Sequence, residues 1–232
     1  MNRIEVLIPC YNESTTIREV ITDHYKLLNE SKLFDDFRIV VLNDGSLDNS
    51  LSILTELSKE FSKLIILSNE KPSGIFSAFN QLISQSSFEW IYITSGDNQY
   101  PYSILSNILN NFDNGSDLYL AKRINKFEIY NLNRQIISFL YRIICFLISG
   151  VDPIDPGSTK LVKRELLFEK FNCKYLAKDA ELIIRTKKMG RSVKVVDAEF
   201  GNRKYGKSSA TKLSVLFKTY IDCLSLFTYR FN

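Results

Sequence analysis

Three short polar segments in the first half of the chain carry side chains that could do chemistry. They are residues 9–13 (PCYNE), 43–48 (NDGSLD) and 95–99 (SGDNQ), and each directly follows an apolar stretch. Their carboxylates Asp44, Asp48 and Asp97 would repel one another at close range unless a cation or hydrogen-bond donors balanced them. Oxygen ligands favour Mg²⁺ or Mn²⁺ over zinc. If the three segments meet, they predict a site for a divalent cation.

Each segment alone has a simpler interpretation, because Asn, Asp, Gly and Ser are ordinary turn formers. All three segments follow predicted strands, and this shared position favours a binding function, since ligands of open parallel sheets bind outside the carboxyl ends of the strands. The sequence contains neither GxGxxG after its first apolar stretch nor GxxxxGK[ST]. This argues against dinucleotide-binding Rossmann and P-loop proteins, so a bound nucleotide would be held by carboxylates and a metal.

Apolar stretches and amphipathic helical patterns alternate along the chain and would position these segments. The predicted strands cover residues 4–8, 37–42, 64–67, 90–94 and 118–121. The first helical pattern places five residues on one face, namely Ile17, Val20, Ile21, His24 and Leu28. His24 is therefore expected to pack in the core rather than to bind a ligand. Apolar strands separated by helices indicate βαβ units around a buried parallel sheet, so the predicted fold class is α/β.

The second half has a different pattern. We predict helices over residues 130–149, 178–189 and 211–229, and strands around residues 160–162 and 193–196. No linker rich in Pro, Gly or Ser separates the halves, which favours a single domain over residues 1–232. The N-terminus lacks the pattern of a signal peptide. Four cysteines without CxxC spacing argue against a zinc site or a disulfide framework, and the expected location is cytoplasmic.

Charge is divided unequally between the two halves. Residues 1–116 contain 8 Lys or Arg and 15 Asp or Glu, a net charge of −7, whereas residues 117–232 contain 22 and 11, a net charge of +11. This division suggests that one half holds a cation while the other attracts an anion or an anionic surface. Chance segregation of charge is the alternative. Nucleic acid is not expected as a partner, because aromatic and basic residues do not interleave in a recognised binding pattern.

A set of motifs follows in one order along almost the whole chain. The segments are IPCYNE at 8–13, LNDGSLDNS at 42–50, NEKPSGIFSAFNQ at 69–81, ITSGDNQYP at 93–101, DPGSTKL at 155–161, DAELIIRTKKMG at 179–190 and RKYGKSS at 203–209. Each is weak alone, but the ordered set resembles the family-2 glycosyltransferases. The subgroup that looks most similar contains the dolichyl-phosphate mannose synthases and bacterial polyprenyl-phosphate sugar synthases.

The resemblance implies the GT-A (nucleotide-diphospho-sugar transferase) fold, with a mainly parallel central sheet flanked by helices. Residues 1–116 would bind nucleotide and metal, and residues 117–232 would form the acceptor side and end in an amphipathic helix. The implied nucleotide-sugar-binding residues are Pro9, Tyr11, Glu13, Asp44, Ser46, Gly74, Ser95 and Asp97. The implied ligands of Mg²⁺ or Mn²⁺ are Asp97 and Gln99. The implied catalytic residues are Arg123, Arg203 and, as base, Asp179 or Glu181.

Arg134, Lys207 and Ser208 are the expected acceptor- or phosphate-binding residues. Ser95 departs from the family pattern, because it stands where the family has the first Asp of its metal motif. A neutral hydroxyl is a weaker ligand, so looser metal binding is expected. A catalytically silent subunit that binds a nucleotide-sugar is an alternative.

The expected reaction is transfer of a sugar from a UDP- or GDP-sugar, with the inversion that the resemblance implies. A sugar hydroxyl as acceptor needs a carboxylate base, for which Asp179 is the first choice. A phosphate acceptor is already an anion and needs a basic pocket instead. The basic second half favours a polyprenyl-phosphate or surface-polysaccharide acceptor. A sugar-hydroxyl acceptor remains the alternative.

Two apolar helical stretches suggest contact with a membrane. Residues 136–148 are apolar except for Ser138 and Arg142, and apolar residues recur at helical spacing over residues 213–231. The first stretch is shorter than the roughly 20 residues of a membrane span, so peripheral contact at the inner face of the membrane, or with a membrane-protein partner, is expected. Packing against the sheet or in a homo-oligomer is the alternative.

Overall fold

The structure is a computed structural model that describes residues 2–174, 177–201 and 213–230, with the backbone alone for residues 213–216. The strands are β1 Arg3–Cys10, β2 Asp36–Asp44, β3 Leu64–Asn69, β4 Trp90–Ile93, β5 Leu118–Arg123, β6 Lys160–Lys163 and β7 Val193–Ala198. The helices are α1 Ile17–Glu30, α2 Ser50–Glu60, α3 Ile75–Gln85, α4 Tyr102–Asn110, α5 Lys126–Ile129, α6 Leu132–Ser149, α7 Glu165–Phe168, α8 Ala177–Lys188 and α9 Leu213–Cys223. A 3₁₀ helix, Leu224–Tyr229, follows α9 directly.

Seven strands of the described residues form one sheet in the order β3-β2-β1-β4-β6-β5-β7. Only β6 runs antiparallel to its neighbours, so the sheet is mainly parallel and the predicted α/β class is confirmed. Both halves of the sequence contribute to this sheet, since β4 pairs with β6. Cys10 is in register with Asn43, which brings the segments that follow β1 and β2 side by side.

Each face of the sheet is covered by its own apolar core, because successive strand residues point to opposite faces. Val6 and Ile8 of β1 pack with α1, α2 and α4, whereas Leu7 packs with α3, α7 and α8. This two-sided burial is why the strands are apolar throughout rather than alternating. The predicted apolar face of α1 is confirmed, since all five of its residues are buried. Burial lowers the pKa of His24 to about 4, so the ring is neutral in the core.

Several element ends differ from the prediction. Strand β3 extends to Asn69 and β5 to Arg123, because polar residues at strand ends still complete the backbone ladder. The helix predicted over residues 211–229 continues as a 3₁₀ helix after Cys223, and its first two residues lie outside the described ones. The helix predicted over residues 130–149 begins at Leu132, where Asn131 caps it by accepting a hydrogen bond from the backbone N–H of Arg134.

Helix α6 is longer than the apolar stretch that was predicted to be too short for a membrane span. That stretch, at residues 136–148, lies within this helix of 18 residues, which has a mean hydropathy of 1.3 and of whose residues 11% are buried. Within the part of the chain that the structure describes, it is the one helix long and apolar enough to cross a membrane, by length and composition alone. Its inner side packs with α8, α9 and the 3₁₀ helix around Cys145, Cys223 and Leu226.

Candidate functional site

A cavity of about 990 Å³ lies at the carboxyl ends of β1, β2 and β4 and extends to α6 and α8. Most of the predicted site residues line it, namely Pro9, Tyr11, Glu13, Asp44, Gly74, Ser95, Asp97, Gln99, Arg123, Arg134 and Asp179. Ser46 and Glu181 are not among its lining residues. Arg203, Lys207 and Ser208 lie outside the described residues. The cavity therefore joins the predicted donor side to the predicted acceptor side in one space.

Asp44, at the end of β2, organises the loop that precedes α3. Its carboxylate accepts hydrogen bonds from the backbone N–H groups of Ser73 and Gly74, both at 2.9 Å, and from the side chain of Asn69 at 2.8 Å. Burial opposes ionisation of Asp44, but these hydrogen bonds outweigh it and hold the pKa of its carboxyl below the ordinary value. The carboxylate is thus a fixed negative charge on the cavity wall.

The turn after β2 depends on a glycine and on hydrogen bonds between two loops. Gly45 has a φ of +67°, and a Cβ there would lie 2.6 Å from the carbonyl carbon of Lys71. Ser46, predicted to bind the nucleotide-sugar, instead accepts a hydrogen bond from the backbone N–H of Asn12 at 3.0 Å, and Asn12 accepts one from the backbone N–H of Leu47 at 2.8 Å. Ser46 therefore ties the loop after β2 to the loop after β1.

The expected cluster of three carboxylates is not formed. Asp48 turns toward the start of α2, where it accepts hydrogen bonds from the backbone N–H groups of Ser14 and Ser50 at 3.0 and 2.9 Å. Among the described residues, no group of three or more His, Cys, Asp or Glu side chains could hold a metal ion. Asp48 was misassigned because turn-stabilising and metal-binding aspartates follow strands in the same sequence context.

Asp97 is the carboxylate that remains for a cation, and its neighbours hold it in place. Ser95 donates a hydrogen bond from its hydroxyl to Asp97 Oδ1, and Gln99 donates from its backbone N–H to the same atom at 3.1 Å. The Gln99 side-chain amide donates to Asp97 Oδ2 at 2.9 Å. Gln99 therefore orients the carboxylate in this structure, and its role as a direct metal ligand stays a prediction. One carboxylate plus a hydroxyl fits Mg²⁺ or Mn²⁺ sites in which substrate phosphates supply other ligands.

Arg123, one of the implied catalytic residues, is buried and bonded within the protein. Its guanidinium donates hydrogen bonds to the Tyr130 hydroxyl and to the carbonyl of Gly157, and its Nε lies 3.6 Å from Asp155. Phe200 covers its face at 4.8 Å. Its charge is thus largely compensated, and it fixes the segment before β6. Arg134 also lines the cavity, with its guanidinium over the Tyr130 ring at 3.9 Å.

The two candidate bases on α8 have different surroundings. Asp179 is half-exposed and lines the cavity, and Lys160 lies 3.2 Å from its Oδ1. The carboxylate of Glu181 is fully buried and accepts hydrogen bonds from the backbone N–H groups of Asn172 and Cys173, both at 2.7 Å, and from the Tyr229 hydroxyl at 2.8 Å. Glu181 therefore connects α8 to the 3₁₀ helix and does not reach the cavity.

Lys160 is a cavity residue that the sequence analysis did not single out. Its side chain is 6% exposed, and its Nζ donates to the carbonyls of Pro156 and Ser158 at 2.9 and 2.6 Å as well as to Asp179. A buried ammonium beside a carboxylate that lines a cavity is typical of a functional site. A lysine at the start of the strand predicted around residues 160–162 was the signal available in the sequence.

The chain is similar to known proteins in sequence and in fold. It is 32% identical over 108 residues to a poly-beta-1,6-N-acetyl-D-glucosamine synthase of Staphylococcus aureus, a match that covers 45% of this chain and 25% of that relative. The fold is similar to glucosyl-3-phosphoglycerate synthase of Mycobacterium tuberculosis, solved with Mn²⁺, UDP and glucosyl-3-phosphoglycerate. The TM-score is 0.67 at 19% identity, and the match covers 98% of this chain and 80% of that one. The same enzyme solved with Mn²⁺ and UDP-glucose gives a TM-score of 0.68 at 19% identity, with coverage of 98% and 79%.

These structural neighbours confirm the predicted GT-A fold, and at such identity they show the fold alone. The family itself follows from a sequence model, described as Glycosyl transferase family 2, that matches residues 5–169. This span is more than half of the 232 residues and contains the segments that build the donor side of the cavity. The chain therefore belongs to glycosyl transferase family 2.

Proposed function

We propose that this protein is an inverting, metal-dependent transferase that moves a sugar from a UDP- or GDP-sugar to an acceptor that carries a phosphate. The observation that carries the proposal is the single cavity in which Asp97 faces the same space as Asp179, Lys160 and Arg134. A donor diphosphate at one end and an anionic acceptor at the other would meet there. UDP is the first choice of nucleotide, because the Mycobacterium tuberculosis neighbour was solved with UDP and UDP-glucose.

On the donor side, Asp97 with Ser95 would hold Mg²⁺ or Mn²⁺ together with the donor diphosphate. The cation, when bound, stabilises the negative charge that develops on the leaving diphosphate. Gln99 keeps the Asp97 carboxylate oriented, and Asp44 fixes the loop that leads into α3. Solved structures of the neighbour contain Mn²⁺ or Mg²⁺ with UDP, which supports this assignment.

On the acceptor side, the contact between Lys160 and Asp179 favours a phosphate acceptor over a sugar hydroxyl. The Lys160 ammonium lies 3.2 Å from the Asp179 carboxylate and adds a positive charge to the acceptor side, where it would help to hold an anionic acceptor. A phosphate acceptor needs no strong base, because it is already a nucleophilic anion. The neighbour was also solved with phosphoglyceric acid, which supports an acceptor that carries a phosphate but, since this compound also has a hydroxyl, does not bear on which group is the nucleophile.

We propose polyprenyl phosphate as the phosphate acceptor, which places this chain in the polyprenyl-phosphate subgroup. The protein would then work at the cytoplasmic face of a membrane. A second candidate is transfer to a sugar hydroxyl of a growing surface polysaccharide. The Staphylococcus aureus polysaccharide synthase supports this second candidate, with Asp179 as its base.

The test is a thermal-shift panel of UDP- and GDP-sugars, each with and without Mn²⁺. A ligand that binds the native state raises the melting temperature by mass action, so binding is visible without knowing the acceptor. We expect a shift with one nucleotide class that grows when Mn²⁺ is present. In Asp97→Asn the Mn²⁺-dependent part should disappear while the metal-free shift remains.

Turnover separates an enzyme from a silent binding subunit. Hydrolysis or transfer of the donor that gives the shift should be measurable and should fall at least about a hundredfold in Asp97→Asn, the scale of losing one charge-stabilising group. A donor shift without any turnover in the wild-type chain would favour the silent subunit, with Ser95 as the cause. Absence of both shift and turnover would contradict the proposed function.

A further inference from the structure

The outer sides of three adjacent helices carry large apolar side chains that face solvent. On α6 these are Leu132, Ile136, Phe139, Leu140, Phe146 and Leu147, which are 46 to 69% exposed. On α9 and the 3₁₀ helix they are Phe217, Ile221, Leu224 and Phe227, which are 52 to 67% exposed. The second set recurs every three or four residues, and Phe139 and Leu140 of the first set recur seven residues later as Phe146 and Leu147, so each set lies along one side of its helix. We call these ten residues the apolar face.

The three helices that carry the apolar face are neighbours, because α6, α9 and the 3₁₀ helix all contact one another. Their inner sides are already used, since Cys145, Cys223 and Leu226 pack together against α8. Single exposed apolar residues are ordinary on soluble proteins, but a large contiguous patch marks an interaction surface. The apolar face is therefore a surface that remains available after the fold has formed.

The charge of the sequence that adjoins the apolar face favours an anionic partner. Arg134 and Arg142 on α6 are already engaged, since Arg142 pairs with Asp152 and Arg134 lies over the Tyr130 ring beside the cavity. Residues 200–223, which lead into and include α9, contain five Lys or Arg in the sequence and one acidic residue, the buried Asp222. A second copy of this chain would bring like charges together, which disfavours that pairing. An anionic lipid surface would attract the same residues.

The inner sides of these helices also determine how they can meet a membrane. Arg134, Ser138 and Tyr141 of α6 and Tyr220 of α9 line the cavity that holds Asp179. If α6 crossed the bilayer, it would leave these contacts and expose the apolar packing against α8. A helix with one apolar side and basic neighbours instead lies in the plane of the membrane interface.

We propose that the apolar face inserts into the headgroup region of an anionic bilayer, with α6 parallel to the membrane plane. This assignment rests on the proposed function in one respect, since it places the acceptor side of the cavity beside a membrane that would supply a lipid-linked phosphate. The docking itself is a property of the apolar face and its charge, and it is measurable without any acceptor.

The test is co-sedimentation of the full chain with vesicles. One set contains phosphatidylcholine alone, and the other contains phosphatidylcholine with phosphatidylglycerol. We expect binding to the anionic vesicles, weaker binding at high salt because ions screen charges, and little binding to the neutral ones. The double variant Phe139→Ser, Leu147→Ser should bind anionic vesicles roughly tenfold more weakly, since the apolar area entering the interface shrinks.

A matched control carries Leu33→Ser and Leu51→Ser, two apolar residues about 40% exposed in the first half of the chain. It should bind vesicles as the wild type does. The docking proposal would be overturned if both double variants lost vesicle binding equally, or if the wild type did not bind vesicles. A wild-type dimer that the Phe139→Ser, Leu147→Ser variant dissociates, without vesicle binding, would assign the face to a second copy instead. The donor thermal shift, measured without vesicles, reports separately on the proposed function.

Discussion

At the scale of single residues, Asp179 and Glu181 show what a sequence motif leaves open. The two lie two positions apart on α8, so their side chains point about 200° apart around the helix. Only one can face the cavity while the other faces the interior. The motif predicted that a carboxylate on this helix lines the site. Which of the two does so depended on α9 and the 3₁₀ helix, which cover the side of α8 that carries Glu181.

Asp97 was predictable because its segment follows a strand and carries a carboxylate beside an amide. The orientation of the Gln99 side chain could not be predicted, since an amide can equally bind a cation through its oxygen or donate to a neighbouring carboxylate through its nitrogen. Arg123 was named because the family resemblance implied it, and its burial against Tyr130 and Asp155 depended on how the chain packs in three dimensions. Charged residues in a motif thus predict a site better than they predict their individual contacts.

The Asp179 variant separates the two acceptor classes. In Asp179→Asn we expect transfer to a sugar hydroxyl to fall by about 10²- to 10⁴-fold, the usual contribution of a general base. Transfer to a phosphate acceptor should change little, because no proton must be removed. The measurement is kcat/KM for one acceptor of each class, with the same donor.

The matched control is Asp197→Asn, an exposed aspartate on β7 that is paired with Lys122 at the surface. It should leave both rates unchanged. Loss of the phosphate reaction in Asp179→Asn alone would assign Asp179 to acceptor binding and would contradict its assignment as a base needed only for hydroxyl acceptors.

At the scale of elements, the sequence predicted strands and helices where one-sided or two-sided burial leaves a clear pattern. The strands of the central sheet are apolar on both faces, and α1 has the periodicity of one buried face. The antiparallel direction of β6 could not be predicted, because direction depends on the path of the chain through α5 and α6. The break from α9 to a 3₁₀ helix also leaves no mark in the apolar periodicity.

Glu181 provides a test of how α8 is joined to the elements around it. In Glu181→Ala, the buried backbone N–H of Cys173 and the partly buried one of Asn172 lose their acceptor. A buried unsatisfied group costs about 1–3 kcal/mol, so we expect a loss of at least this size in the free energy of unfolding. Chemical denaturation measures this loss directly.

In Asp179→Asn we expect a smaller loss in the free energy of unfolding than in Glu181→Ala, because the amide oxygen of the new side chain can still accept from Lys160, which also donates to the carbonyls of Pro156 and Ser158. Donor affinity of folded Glu181→Ala should match the wild type. If Glu181→Ala were as stable as the wild type but inactive, the structural role of Glu181 would be contradicted and Glu181 would again be a candidate base.

At the scale of the whole molecule, the two halves of the sequence share one sheet. The acidic half supplies β1 to β4 and the basic half supplies β5 to β7, and the β4–β6 pair joins them. One apolar core contains Ile8 and Leu54 from the first half together with Tyr119 and Leu161 from the second. We therefore expect residues 1–232 to unfold as one cooperative domain although their charges divide at the middle.

Amide hydrogen exchange on the full chain tests this cooperativity. Leu161 on β6 is fully buried, and Leu161→Ala should lower the free energy of unfolding by about 2–5 kcal/mol, as large-to-small core changes do. In a single cooperative domain, the slowest-exchanging amides of β1 and β2 should lose the same protection as those of β5 and β7. The reciprocal variant Leu54→Ala, in α2, should lower protection in β5 and β7 equally. If each variant affected only its own half, the halves would be separate units, and the shared cavity would lie between two domains rather than within one.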